Sequence, residues 1–228
     1  REMRLIWTQY PLSGINYDKT VDNLGRTIYR EHGCRFVVDV RRVFFTPRLS
    51  HERMRIARQV KLGEVIANMF GGVGTYAIII AKVCPEVKKI YTIDVNPIAC
   101  KLAEDNITMN QCSGKVASIL GDAESVCEDK LKGLCNRVIM ALPECAGLFL
   151  GGAIAALKEE KDCTVNFYAE VMGRHVEEQV RDVIAEATNK MYQYGVSLCE
   201  ATEWRIVREV GGRRYHVAID FKVHKEVK

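Results

Sequence analysis

From Val65 onward the sequence switches repeatedly between short apolar runs of strand length and longer helical patterns, and this alternation limits the possible folds more than any other feature. Val65 to Met69 reads as a strand, Tyr76 to Val83 as a helix, Lys89 to Ile93 as a strand and Pro97 to Asn110 as a helix. Val116 to Leu120 and Arg137 to Met140 add strands, Leu148 to Leu157 a helix, and Thr164 to Tyr168 a further strand. Strands separated by helix-length segments do not pair as tight hairpins. They need crossovers, which build a parallel sheet covered on both faces. The rhythm breaks after a helix from about Val176 to Asn189. Glu203 to Glu209 and Tyr215 to Val223 flank Gly211-Gly212, and Tyr215, Val217, Ile219, Phe221 and Val223 alternate with polar neighbours, which predicts an antiparallel hairpin at the end of an α/β sheet.

Ahead of this body the pattern has period two from Arg26 to Phe45. Cys34, Phe36, Val38 and Val40 fall on one side and Arg35, Val37, Asp39 and Arg41 on the other, with His32-Gly33 as the turn. This predicts a small antiparallel sheet with a basic outer face. Pro47 closes it, and Ser50 is positioned to cap a helix running to about Val60. The expected division is a small β-rich subdomain over 1–48 and an α/β domain over 49–228. A chain of 228 residues buries one good core with an appendage of that size.

The net charge of +4 is uninformative until it is located. Residues 1–58 carry 12 basic and 6 acidic side chains, so the excess positive charge lies in the first quarter and the rest is slightly acidic. Nine cysteines occur singly, with no CxxC and no paired His spacing, which predicts buried thiols in a reducing cytoplasm and no metal site. Apolar runs such as Ala77 to Ala81 are far short of a bilayer span, so no membrane association is expected. His175, His216 and His224 lack ligand spacing and read as solvated residues, and Trp204, Tyr192 and Tyr194 read as packing residues.

Three segments carry chemistry. Asn68-Met69-Phe70-Gly71-Gly72-Val73-Gly74 joins a strand to a helix, where glycines let the backbone turn sharply and approach a ligand. The third glycine of a dinucleotide loop and the Lys-Ser/Thr of a phosphate loop are both missing, so a nucleoside ligand without a phosphate tail fits better. Asp94 ends the next strand, where a carboxylate can accept from a ribose diol or, alternatively, cap the following helix. Gly121-Asp122-Ala123 follows another strand, where Asp122 can meet an adenine amino group or serve as a turn residue.

These segments in order, followed by Arg137 to Glu144, resemble a class I S-adenosylmethionine-dependent methyltransferase, whose Rossmann-like sheet also ends in an antiparallel hairpin. Phe45-Thr46-Pro47-Arg48-Leu49-Ser50-His51-Glu52-Arg53, joined to the glycine turn, is similar to the archaeal and eukaryotic tRNA (guanine-N1)-methyltransferases that modify the guanine 3′ of the anticodon. The resemblance implies S-adenosylmethionine held by Arg53, Phe70, Gly71, Gly72, Val73, Gly74, Asp94, Val95, Asp122, Ala123 and Ala141. It also implies Glu52 as general base with Arg48 beside it, and the anticodon stem-loop of tRNA as partner; the basic charge of the first quarter places Arg35, Arg41 and Arg48 as RNA contacts, and a monomer is expected. The residue chemistry agrees. Methylating guanine N1 requires a carboxylate to remove its proton and a guanidinium to stabilise charge on O6, and Arg48 and Glu52, four apart, can share one helix face. A surface salt bridge is the competing reading of that pair. The chain departs from the family pattern at Asn68, where an acid is usual, at Gly71-Gly72, and at Ala141, where Asn is usual. The alternatives are a wyosine-pathway transferase, passing a methyl or aminocarboxypropyl group to a modified guanosine, and a catalytically weak RNA-binding module on this fold.

Overall fold

A computed structural model describes residues 25–225. The first strands, β1 (Arg26–Glu31) and β2 (Cys34–Asp39), form an antiparallel hairpin. His32 and Gly33 make its turn, both at positive φ. Helix α1 (Ser50–Gln59) follows a 3-10 turn over Pro47–Leu49. The body then runs β3 (Val65–Met69), α2 (Thr75–Val83), β4 (Lys89–Asp94), α3 (Pro97–Met109), β5 (Val116–Leu120), α4 (Ala123–Asp129), β6 (Arg137–Met140), α5 (Leu150–Ala156), β7 (Cys163–Met172), α6 (Val176–Gln193), β8 (Leu198–Gly211) and β9 (Arg214–His224).

Strands β3 to β9 form one sheet in the order β5-β4-β3-β6-β7-β9-β8. The first five of these are mutually parallel, and β9 runs antiparallel between β7 and β8. The expected parallel sheet with a terminal hairpin is therefore the observed one. The order reverses between β3 and β6, so the connections leave a crevice at the carboxyl ends of those strands, where open α/β sheets bind ligands.

Two apolar clusters cover the two faces. One contains Met69, Val126, Ala153, Phe167 and Phe221 under α4, α5 and α6. The other contains Ile66, Ile78, Ile90 and Leu102 with Phe36 and Val38 of the hairpin and Ile56 of α1. Thus β2, although predicted within a 1–48 subdomain, contributes side chains to the same core as α2 and α3; residues 1–24 of that segment lie outside those described. Asn106 of α3 and Asn110, which caps its C-terminus, complete the joint. Asn110 accepts from Arg35 N at 2.9 Å and donates to Arg35 O, while Asn106 accepts from Val37 N at 2.7 Å and donates to Val37 O. Their amides act as a neighbouring strand for the open edge of β2.

Several local expectations change. The alternation of β2 ends at Asp39, which is buried and receives the Arg41 N–H, so Val40 is exposed instead of facing the core. Ser50 lies inside α1 rather than capping it; Thr46 receives the Arg48 N–H, and Leu49 at the helix start has no side-chain cap bond. Gly121-Asp122-Ala123, where the sequence leaves Asp122 open as a turn residue, leads directly into α4, a helix not expected from the sequence; Ala123, Val126 and Cys127 at helical spacing are buried together there. Six of the nine cysteines are buried, as expected. Trp204, Tyr192 and Tyr194 are exposed, and His216 is buried.

Candidate active site

The glycine turn lies between β3 and α2, at the carboxyl end of the sheet. Phe70, Gly72 and Gly74 all have positive φ, a conformation glycine adopts without cost. At Gly71 the constraint is space: a Cβ there would fall 1.9 Å from Thr92 Oγ1 and 3.0 Å from Asn68 Nδ2. The N–H groups of Gly71, Gly72 and Gly74 donate to Ile93 O, Asp94 Oδ2 and Gly71 O. With those donors used internally, the turn is poorly equipped to wrap a phosphate, consistent with an uncharged nucleoside face.

Asp94 ties the turn to β4. Its Oδ2 accepts from Gly72 N at 2.7 Å and its Oδ1 from Asn96 N at 2.9 Å. Burial pushes its carboxyl above the ordinary value, and the N–H groups of Asn96, Gly72 and Val95 oppose that rise. A carboxylate has about four acceptor sites, so both oxygens retain capacity for a diol. The cap of α3 is Asn96, which accepts from Ile98 N and Ala99 N; the capping alternative for Asp94 therefore falls away. Asp122 does cap α4 through Oδ1, which takes both the N–H and the hydroxyl of Ser125. It remains exposed, with Ala123 buried behind it and Val95 exposed beyond Asp94. Beneath the turn, buried Asn68 donates to Thr92 Oγ1 while its Oδ1 has no partner. The turn that only glycine fits, the acceptor capacity of Asp94 and the orphaned Asn68 oxygen together fit an adenosyl ligand bearing an ammonium group.

Glu52 is 5% exposed, and its partner is not Arg48. Arg55 grips it with two bonds, Nε to Oε2 at 2.9 Å and Nη2 to Oε1 at 2.7 Å. Tyr168 of β7 donates to Oε1 at 2.6 Å, and Tyr76, in the first turn of α2, donates to Tyr168 at 3.3 Å. This chain of hydroxyls brings the carboxylate beside the helix that opens at the glycine turn. Behind it Arg55 also pairs with Asp220, which accepts from Gln59 and Asn166. Burial alone would raise the Asp220 carboxyl, but the Arg55 and Gln59 bonds outweigh it and hold it below the ordinary value. Arg137 extends the network, bonding Asn166 and Glu64.

The other expected residues divide. Arg53 is 2% exposed, and its guanidinium bonds Glu31 at 2.6 and 2.8 Å and Thr46 O. It fastens α1 to the hairpin: the group faces inward, and its donors are largely engaged by Glu31 and Thr46 O. Arg48 lies in the 3-10 turn, exposed, so it does not share a helix face with Glu52. Ala141 follows β6, partly buried, packed against the apolar cluster that contains Tyr76 and Tyr168. Arg35 and Arg41 are exposed. Glu31, Asp39 and Glu52, the three acids between residues 25 and 58, are all buried. Every exposed ionic group of that segment is therefore basic.

Sequence reasoning missed Arg55, Tyr168, Asp220 and His216. The i,i+3 spacing of Glu52 and Arg55 was an available signal; the others are distant in sequence. His216 accepts from Arg208 Nε at 3.1 Å and lies 3.4 Å from Glu170 and 3.7 Å from Glu144. Burial, then Arg208, hold it below the ordinary histidine value. Among the described residues no helix is long and apolar enough to cross a membrane, and no cluster of three or more His, Cys, Asp or Glu could hold a metal ion.

Residues 27–196 match the TRM5/TYW2 methyltransferase domain. The tRNA (guanine(37)-N(1))-methyltransferase Trm5b of Methanocaldococcus jannaschii is 36% identical over 205 residues, 90% of this chain and 54% of that protein. The tRNA 4-demethylwyosine(37)-methyltransferase Taw21 of Saccharolobus solfataricus is 35% identical over 201 residues, 87% of this chain and 69% of that protein. The solved structure of M. jannaschii TYW2 in complex with AdoMet superposes with a TM-score of 0.74 at 27% identity, covering 88% of this chain and 87% of that one. The chain thus spans little more than half the length of the Trm5b relative.

Proposed function

The chain belongs to the TRM5/TYW2 methyltransferase family, and within it we propose that it acts as an S-adenosylmethionine-dependent tRNA methyltransferase on N1 of guanosine 37. The observation that carries this reading is the hydroxyl chain from Tyr76 through Tyr168 to Glu52, which sets a buried carboxylate beside the helix of the glycine turn. Gly71 to Gly74, Asp94 and Asp122 hold the cofactor, with Phe70, Val95 and Ala123 about the adenosyl group. S-adenosylmethionine, when bound, supplies a methyl already activated on sulfonium. The protein's own work is to hold the base and manage one proton. Glu52 removes the N1 proton of a guanine turned out of the loop stack, and Arg48, exposed nearby in sequence, is the guanidinium for charge on O6. Arg35 and Arg41 lie on the segment whose acids are all buried, a surface suited to phosphates.

Unmodified tRNA transcripts with guanosine at 37, incubated with S-adenosylmethionine and digested to nucleosides, are expected to yield 1-methylguanosine by mass spectrometry. Glu52→Gln is expected to bind cofactor normally and lose roughly 10²-fold or more in rate. Unchanged turnover in that variant refutes Glu52 as the base. A second reading, transfer to a wyosine-type base at the same nucleotide, is favoured by Ala141, which lacks the amide usual in the N1-methyltransferases, and by the likeness to Taw21. A product formed only on tRNA already carrying 4-demethylwyosine would select it.

A further inference from the structure

The two oxygens of Glu52 are not equivalent. Oε1 receives two donors, the Tyr168 hydroxyl at 2.6 Å and Arg55 Nη2 at 2.7 Å, whereas Oε2 receives only Arg55 Nε at 2.9 Å. With two lone pairs on each oxygen, Oε1 is filled and Oε2 keeps one site. Tyr168 has its own acceptor capacity engaged by the Tyr76 hydroxyl, so its proton points along the chain toward Glu52.

We infer that Tyr168 is a positioning residue for the transfer: by filling Oε1 together with Arg55, it fixes the carboxylate and makes Oε2 the oxygen that takes the substrate proton. This rests on Glu52 being the base. No atom is left unbalanced: the N1–H bond breaks, an Oε2–H bond forms, and the electron pair stays on the purine to attack the methyl. The hydroxyl chain is not an exit for that proton, because Tyr76 and Tyr168 are both buried.

The surroundings of Glu52 agree with this assignment. On α1 Arg55 faces it, while Arg53 turns to Glu31 on β1. From β7 comes Tyr168, with Tyr76 of α2 behind it. Asp220 of β9 and Glu203 of β8 act on it only through Arg55. Burial raises both tyrosine hydroxyls above their ordinary value, so both remain donors throughout the working range.

The test is the pH dependence of single-turnover methyl transfer by the full chain with S-adenosylmethionine and a tRNA transcript. In Tyr168→Phe the acid limb is expected to move up by about one pH unit, since a hydrogen bond to a charged group is lost, with cofactor affinity by calorimetry unchanged. Tyr76→Phe, which removes only the outer hydroxyl, should move it in the same direction by less; should Tyr168→Phe fail to fold, the Tyr76→Phe limb decides. An acid limb that stays in place, while Glu52→Gln is inactive, overturns the positioning role alone. Full activity in Glu52→Gln overturns the base assignment beneath it.

Discussion

Asn106 is where the hairpin, α3 and the glycine turn meet, and its replacement by alanine should be among the most damaging single changes outside the apolar core. The side chain is fully buried. Its Oδ1 accepts from Val37 N at 2.7 Å, and its Nδ2 donates to Val37 O at 3.1 Å and Val73 O at 3.0 Å. Asn106→Ala strands one N–H and weakens two carbonyls in a place water does not reach. A stranded buried donor costs about 1–3 kcal/mol, and an under-bonded carbonyl less. With a small cavity added, the expected loss is about 3–5 kcal/mol, a large share of the roughly 5–15 kcal/mol that stabilises a domain. Urea unfolding at unchanged m-value measures it, and amide exchange at Val37 should accelerate more than exchange in β6 or β7. Asn106→Asp sharpens the argument. It keeps the acceptor for Val37 N–H but sets a second carboxylate oxygen against two carbonyls, so at neutral pH it should be at least as destabilising. Burial beside carbonyls raises that carboxyl in the folded state, so the folded protein binds the extra proton and part of the loss is recovered as pH falls. An alanine variant within about 1 kcal/mol of the parent, or an aspartate variant of parental stability at pH 7, would refute the account.

Three further outcomes follow from the same contacts. Arg53→Ala should lose about 3–5 kcal/mol by leaving Glu31 buried and unpaired, whereas Arg53→Met with Glu31→Leu should be nearly neutral; normal stability with lost cofactor binding by calorimetry would return Arg53 to the cofactor site. Gly71→Ala should weaken cofactor binding roughly tenfold or more, because its Cβ meets Thr92 Oγ1, and Thr92→Ala in the same chain should restore part of that affinity. Asp220 is held below its ordinary value, so its share of stability is present above about pH 4 and is lost as pH falls further; Asp220→Asn should lower the denaturant midpoint at pH 7 and flatten its acid dependence below about pH 4, and an unchanged acid profile would exclude the contribution.

The local record of this fold was legible in the chain. Periodicity placed the strands from β3 to β7, because a strand or helix that buries one or both faces must repeat its apolar residues at its own pitch. Glycine marked the turns for equally local reasons, and the His32-Gly33 turn and the glycine turn at 71–74 are where they were expected. Helix α4 escaped notice because seven residues with three buried positions carry little periodic signal. The site was half legible: Glu52, Asp94 and the glycine turn stand out by type and spacing, but what each one bonds does not.

What the sequence by itself determined is therefore the order of the strands and of the helices other than α4, the parallel sheet with its terminal hairpin, and which residue types stand at its carboxyl end. Tertiary structure alone decided the partners. Tyr168 meets Glu52 across 116 residues and Asp220 meets Arg55 across 165, separations at which no local pattern operates. It also decided which charges count. Arg53 and Arg48 are five apart and chemically identical, yet one is sealed against Glu31 and the other is exposed. The positive charge of the first quarter becomes a basic surface between residues 25 and 58 because the three acids there, Glu31, Asp39 and Glu52, took interior positions, where burying an ion requires a partner, while Arg35, Arg41 and Arg48 stayed at the surface.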